Sequence, residues 1–256
     1  MTWSTTGRAA LETWAPGVVS AYDAVAGLPA PDRSDPAVAA FADQFGVDVA
    51  GLDADQRAAF LGACGRRAFD VVQLVFAADF APRVPAVLDR LFAASTWPTT
   101  SSDAAGSWPL LEELMVAVAR SRHLDAPLTE LVRLRGARQH DCAVCRSRRS
   151  RDAIEAGADD AMFAAVDHYA DSDLPAPTRA ALALTDAIIW TPYAVTDEVV
   201  AQVRADLSPA QAVEVVLDVL RNAANKIAVA LGADAATVTD GVELFTTDAD
   251  GHLTVV

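Results

Sequence analysis

Along almost the whole chain, apolar residues recur at spacings of three and four, in runs bounded by Pro, Gly or Asp. That spacing returns to one face of a helix, and the sustained alternation of a half-buried strand is nearly absent, so the pattern restricts the chain to an all-α fold. Helices are expected near 8–13, 16–26, 36–44, 54–77, 82–94, 107–122, 126–138, 142–156, 159–167, 177–190, 196–204 and 209–231. The exception is the final stretch, ELFTTDADGHLTVV. Alternating residues there flank an Asp250-Gly251 turn signal and predict a short C-terminal β-hairpin within 241–256. Asp248, Asp250 and Gly251 resemble the start of a calcium loop, but the glycine falls too early and no acidic residue closes it.

The Ser-, Thr-, Gly- and Pro-rich stretch 95–109, STWPTTSSDAAGSWP, reads as a linker. It places a boundary near 100, between an N-terminal helical region (1–100) and a core region (101–240). Residues 52–79 also lie without gaps over 207–234, each a two-turn entry into a long apolar helix. Two readings stand: a degenerate repeat whose first copy lacks the cysteine pair, or two similar amphipathic helices. Apolar runs fall short of the roughly eighteen residues that span a bilayer, and MTWSTTGRAALETW has neither the basic start nor the cleavage site of a secretory signal. The expectation is a cytoplasmic protein with no membrane partner. A formal net charge of −15 repels phosphate backbones, which excludes nucleic acid as a partner.

Against that acidity, the stretch DCAVCRSRR (141–149) sets the densest basic cluster beside the only close cysteine pair. In a reducing compartment, Cys64, Cys142 and Cys145 are catalytic, metal-binding or inert rather than a disulfide framework. Asp125 and Pro127 open one helix, and Asp141 is expected to cap the next, beginning at Cys142 and ending before Gly157. The pair then sits on a first turn, where free N–H groups favour a thiolate. Arg146 and Arg149 follow Cys142 and Cys145 by four residues, the same-face spacing of a helix. They either stabilise an anionic sulfur or belong, like Arg148 and Arg151, to a solvated face. A zinc site lacks two further ligands: His140 and His123 can be nominated, but no second pair stands at ligand spacing. Cys64, in FLGACGRRAF, reads as a buried small hydrophobe. Aromatic residues of the first hundred read as core or interface, or as the wall of an apolar pocket.

The run TELVRLRGARQHDCAVCRSRRSRDAIEAGADD, then TRAALALTDAII, then LSPAQAVEVVLDVLRNAANKIAVALG, is similar to the alkylhydroperoxidase D-like proteins of the carboxymuconolactone decarboxylase superfamily. The likeness covers roughly residues 107–235. That family has a glutamate, twelve residues later a Cys-x-x-Cys, and a histidine four after the second cysteine. Glu130, Cys142 and Cys145 match; Arg149 stands where the histidine would be. The resemblance implies an alkylhydroperoxidase D-like helical bundle that forms a homo-oligomer and needs no organic cofactor or metal. It also implies a thiol-dependent peroxidase: Cys145 as peroxidatic thiolate, Cys142 as resolving thiol, Glu130 and the histidine as proton relay, and a dithiol donor that resets the disulfide.

A guanidinium stays protonated and cannot relay a proton, which leaves Arg149 to hold a thiolate or orient substrate. His140 is then the nearest replacement relay, or else a surface or capping residue. Glu130, in the first turn of its helix, also has a purely structural reading. Two other functions compete. One is a lyase or isomerase of the carboxymuconolactone decarboxylase branch, with Arg149 binding a substrate carboxylate. The other is a catalytically silent helical oligomer.

Overall fold

The structure, a computed structural model, describes residues 3–256. The chain runs α1 (Gly7–Trp14), α2 (Val19–Ala26), α3 (Pro36–Val47), α4 (Ala54–Cys64), α5 (Ala68–Phe80), α6 (Arg83–Leu91), α7 (Ser107–Ala119) and α8 (Ala126–Gln139). It continues through α9 (Ala143–Arg146), β1 (Arg148–Ser150), α10 (Arg151–Glu155), α11 (Asp160–Ala165), α12 (Ala176–Trp190), α13 (Asp197–Asp206), α14 (Pro209–Ala223), α15 (Lys226–Leu231), β2 (Glu243–Thr247) and β3 (Leu253–Val255). The protein is therefore mostly helical, with a small three-stranded sheet that includes the expected C-terminal hairpin.

Local chemistry sets the helix starts. Asp35, Asp125 and Thr196 accept hydrogen bonds from first-turn amides of α3, α8 and α13. Full capping boxes, Asp53 with Gln56 and Ser208 with Gln211, open α4 and α14. Both members of the 52–79 and 207–234 alignment thus start alike, and then they differ. α4 stops at Gly65, which takes a φ of 54°. α14 runs on to Ala223, and the chain turns at Ala224 and Asn225 into α15.

Three expected helices are broken. The run 54–77 is divided at Gly65, 209–231 at Ala224 and Asn225, and 142–156 after the single turn of α9. The apolar stretch Ala54–Leu91 is long and apolar enough to cross a membrane by composition. It bends at Gly65 and at the Ala81–Pro82 step, and most of its apolar window is buried within the protein. It serves as core.

α14 is the axis of the molecule, packed by α8, α12, α7, α1 and α6. Its positions from Ala212 to Leu220 are all buried. One hydrophobic cluster runs from Ala10 to Ala230 and includes residues on both sides of the 95–109 stretch. Phe41, Phe45, Phe60, Phe76 and Phe80 fill its N-terminal part. At roughly 25 cal/mol per Å² of apolar surface, such rings are its strongest contributors. The 95–109 stretch is itself fastened to α2: Ser102 N–H donates to the Gly27 carbonyl (2.8 Å) and Ser102 Oγ to that of Ala24 (2.6 Å).

β1 pairs in parallel with β2, Arg149 beside Leu244 and Ser150 beside Phe245, and β2 pairs antiparallel with β3. The 142–156 helix fails because its carbonyls are taken sideways. Ser147 O accepts from Glu243 N (2.8 Å), and Arg148 O accepts from the Arg133 guanidinium (2.8 Å). Backbone groups so satisfied have no need of an intrahelical partner. The hairpin tip docks on α7 through Gly251, whose φ is 89°. A Cβ there would lie 2.5 Å from the Val116 carbonyl oxygen, so the approach requires glycine.

Candidate functional site

Residues of α8 organise the cysteine loop. Glu130, 2% exposed, points both carboxylate oxygens at Arg133, one turn later, which donates from Nε (2.6 Å) and Nη2 (2.7 Å). Arg133 also donates to the carbonyls of Cys145 and Arg148, each at 2.8 Å. A planar fork with fixed donors suits such multiple anchoring. Glu130 and the Cys-x-x-Cys loop are thus brought together, but through Arg133 and not by direct contact of carboxylate and sulfur.

Between α8 and α9 the chain turns at Asp141, a non-glycine residue with a φ of 50°. Aspartate is one of the few side chains that tolerate this conformation. Asp141 is therefore the turn residue and not the expected cap; Cys142 is the N-cap, its sulfur facing the Cys145 N–H at 3.4 Å. The first-turn amides are already engaged: Ala143 N–H with the Asp234 carboxylate (2.8 Å) and Val144 N–H with the Asp234 carbonyl (2.8 Å). An anion thus occupies the end of α9, which is only one turn long, so the expected helix-terminus effect on a thiolate is small.

Cys142 and Cys145 are joined in a disulfide. Cys142 is 1% exposed and Cys145 7%. Cys145 lines a cavity of about 390 Å³, whose walls include Met115, Val116, Arg133, Arg221, Asn222 and Phe245. Gly251, His252 and Leu253 of the hairpin close one side of it. A second cavity, of about 320 Å³, is lined by Glu130, Glu214 and Asp218 and shares Arg133, Arg221 and Phe245 with the first. These shared side chains form the wall between sulfur and carboxylates.

Burial raises the Asp218 carboxyl to about 7, and its Oδ2 has no hydrogen-bond partner among the described residues. Burial also raises the Glu214 carboxyl, offset by the N–H groups of His123 and Leu124. Arg221 is pushed down by burial, with Asp218 opposing. Among the described residues, no carboxyl–guanidinium hydrogen bond relieves Arg221.

The remaining sequence candidates lie elsewhere. Arg149, expected to share a helix face with Cys145, is on β1, because α9 ends at Arg146. Its guanidinium covers the Phe163 ring at 5.2 Å and donates to the carbonyls of Arg146 and Arg148. Arg146 pairs with Asp141 rather than with Cys142. His140 is the C-cap of α8, its N–H directed at the Gly136 and Arg138 carbonyls, and its side chain is not on the surface: 5% exposed, it meets the Phe80 ring edge-on at 6.0 Å and is absent from both cavity walls. Burial, with Lys226 and Arg83 nearby, holds it neutral well below the ordinary imidazole range. Cys64 is buried and free, as expected. Among the described residues, no cluster of three or more His, Cys, Asp or Glu side chains is arranged to hold a metal ion.

Sequence reasoning passed over Arg133, Glu214, Asp218, Arg221 and His252. A signal existed for most of them. Glu214, Asp218, Arg221 and Asn222 fall at helical spacing along a largely apolar α14. A polar stripe on a largely buried helix has to face a cavity or a partner.

No family model matches the chain, and no solved structure matches it. Two proteins of Mycobacterium tuberculosis do: the uncharacterized protein MT2376 of strain CDC 1551 / Oshkosh and the uncharacterized protein Rv2313c of strain ATCC 25618 / H37Rv. Each is 39% identical over 225 residues, covering 84% of this chain and 78% of the relative. At that identity and coverage, the chain belongs to the family of these two mycobacterial proteins.

Proposed function

We propose that the protein is a thiol-dependent oxidoreductase with an alkylhydroperoxidase D-like bundle, reducing hydroperoxides through a Cys142–Cys145 dithiol/disulfide cycle. The observation that carries the reading is the disulfide itself, placed so that Cys145 lines a cavity of ligand size while Cys142 lies behind it. In the reduced protein, the Cys145 thiolate attacks the outer peroxide oxygen. The O–O bond breaks, the alkoxide leaves and takes a proton as an alcohol, and Cys145 becomes a sulfenic acid. The Cys142 thiol displaces hydroxide from that sulfur and supplies the proton that makes it water, forming the disulfide. A dithiol donor reduces the disulfide by exchange and is oxidised to its own disulfide.

Glu130 acts through Arg133, which fixes the peptide of Cys145 and the start of β1. It is a positioning residue. Arg149 has no relay role, since its guanidinium is turned to Phe163 and to backbone carbonyls. Along the two adjoining cavities, Asp218, whose carboxyl burial raises to about 7, is able to exchange a proton near neutral pH. The same proposal includes a homo-oligomer, which would cover Trp190 and Tyr193, 43% and 72% exposed near the end of α12. Light scattering at micromolar concentration tests it: a dimer or larger mass supports it, and a monomer refutes it.

Steady-state consumption of tert-butyl hydroperoxide with dithiothreitol as donor tests the activity. The reading expects many turnovers per chain, loss of turnover in Cys145→Ser and retention in Cys64→Ser. A wild-type protein that adds nothing to the uncatalysed rate overturns it.

A further inference from the structure

Among the described residues, Arg221 is the cation of the site that no carboxylate or carbonyl holds. Arg133 is held by Glu130 and two carbonyls, Arg148 by Glu243, and Arg122 by the carbonyls of Ala119, Ser121 and Asp248. Among the described residues, Arg221 has no hydrogen-bonded carboxylate, and Asp218, three residues earlier on α14, acts on it only at longer range. Arg221 lines both cavities. The next residue, Asn222, lines the Cys145 cavity, and its buried Nδ2 likewise has no partner among the described residues. An unmade hydrogen bond of this kind is destabilising, so a ligand that supplies the acceptors recovers it. The same cavity is lined by the apolar side chains of Met115, Val116, Phe245 and Leu253. The acidic side chain on the same wall, Glu112, is exposed at the rim.

We propose that Arg221 and Asn222 form an anion subsite in the Cys145 cavity, so that the substrate is a small amphipathic organic anion. Its carboxylate is held by Arg221 and Asn222, and its apolar body lies against Met115, Val116, Phe245 and Leu253. A protein of net charge −15 repels such a ligand at long range, and the buried guanidinium supplies the local attraction. As a substrate assignment this rests on the peroxidase reading, under which the ligand is a carboxylate-bearing hydroperoxide; the subsite itself needs no redox chemistry.

The test is calorimetric titration of the oxidised, full-length protein with octanoate and with octanamide, which share a chain and differ in charge. Octanoate is expected to bind, with octanamide weaker by about tenfold or more. Arg221→Met should reduce octanoate affinity by about tenfold, Asn222→Leu by about threefold to tenfold, and Arg221→Lys by less than Arg221→Met. Octanoate should also slow alkylation of Cys145 in the reduced protein, which places the bound anion in this cavity. Equal binding of the two ligands, unchanged octanoate affinity in a folded Arg221→Met, or no octanoate binding at millimolar concentration overturns the subsite. If Arg221→Met fails to fold, Asn222→Leu and Arg221→Lys carry the comparison, and wild-type affinity in both overturns it. Because these measurements involve no peroxide, failure of peroxide turnover leaves their outcome intact, and the reverse holds too.

Discussion

Arg133 holds both carboxylate oxygens of Glu130, at 2.6 and 2.7 Å, with the same guanidinium that reaches the Cys145 carbonyl. Both side chains are largely withdrawn from water, at 12% and 1% exposure. Removing one partner of such a pair strands the other. Arg133→Ala should cost about 3–5 kcal/mol in urea denaturation, whereas replacing both partners by uncharged residues should cost less than the sum of the single changes. Additive losses would mean that the pair is not coupled. The surviving Arg133→Ala protein should also show faster reduction of its disulfide, since the loop has lost its anchor.

Arg149 gives the contrasting case. Its guanidinium lies over Phe163 and bonds to backbone carbonyls within its own loop. Arg149→Ala should leave the alkylation rate of Cys145 within about twofold of wild type, because no charge is removed from beside the sulfur. A tenfold slowing would return Arg149 to the thiol site.

Two perturbed groups of the core, the acid Asp218 and the base His140, oppose each other in pH. Unfolded, Asp218 titrates near 4; folded, it keeps its proton to about 7 because burial disfavours the anion. The folded state therefore binds more protons between those values, and stability falls as pH rises from about 4 to about 7, by at most about 4 kcal/mol. His140, buried and neutral well below its ordinary value, has the opposite sign. The unfolded chain takes up a proton below about 6.5 that the fold refuses, so stability falls as pH drops. Asp218→Asn should gain on wild type by several kcal/mol between pH 4 and pH 8, measured by denaturant melts at each pH. A pH-independent difference would place Asp218 in a solvated site.

Gly251 joins the hairpin to α7 at a distance no side chain allows. Gly251→Val adds both a clash with the Val116 carbonyl and strain at a φ of 89°. It should cost about 1–3 kcal/mol and speed alkylation of reduced Cys145, since the hairpin forms part of that cavity. Unchanged alkylation would show that the hairpin does not control access.

Helical periodicity, the Asp125 cap and the hairpin turn were legible because each depends on neighbours in sequence. The break of 142–156 was not. It is imposed by Arg133 and by Glu243, which lie far from Ser147 and Arg148 in the chain and take their carbonyls. The same long-range bonds moved Arg149 off the helix face that its spacing implied. Glu130 and the cysteines were legible as a spaced set, but their link, Arg133, sat unmarked three residues after Glu130. His140 followed the opposite course: close in sequence to Cys142, it is turned by the Asp141 turn into the phenylalanine core. The stripe on α14 was available in the sequence, but its meaning depended on knowing that the helix is central.

The central claim is the peroxide-driven closing of Cys142 onto Cys145. The most direct measurement is a single-turnover thiol count: the protein is reduced, freed of reductant and mixed with one equivalent of tert-butyl hydroperoxide. The account predicts one tert-butanol formed per chain and loss of two of its 3 thiols. Peptide mapping should join Cys142 to Cys145 and leave Cys64 free, and Cys145→Ser should leave the hydroperoxide unconsumed. Full recovery of all thiols from the wild-type protein, or consumption of hydroperoxide by Cys145→Ser at the wild-type rate, would contradict it.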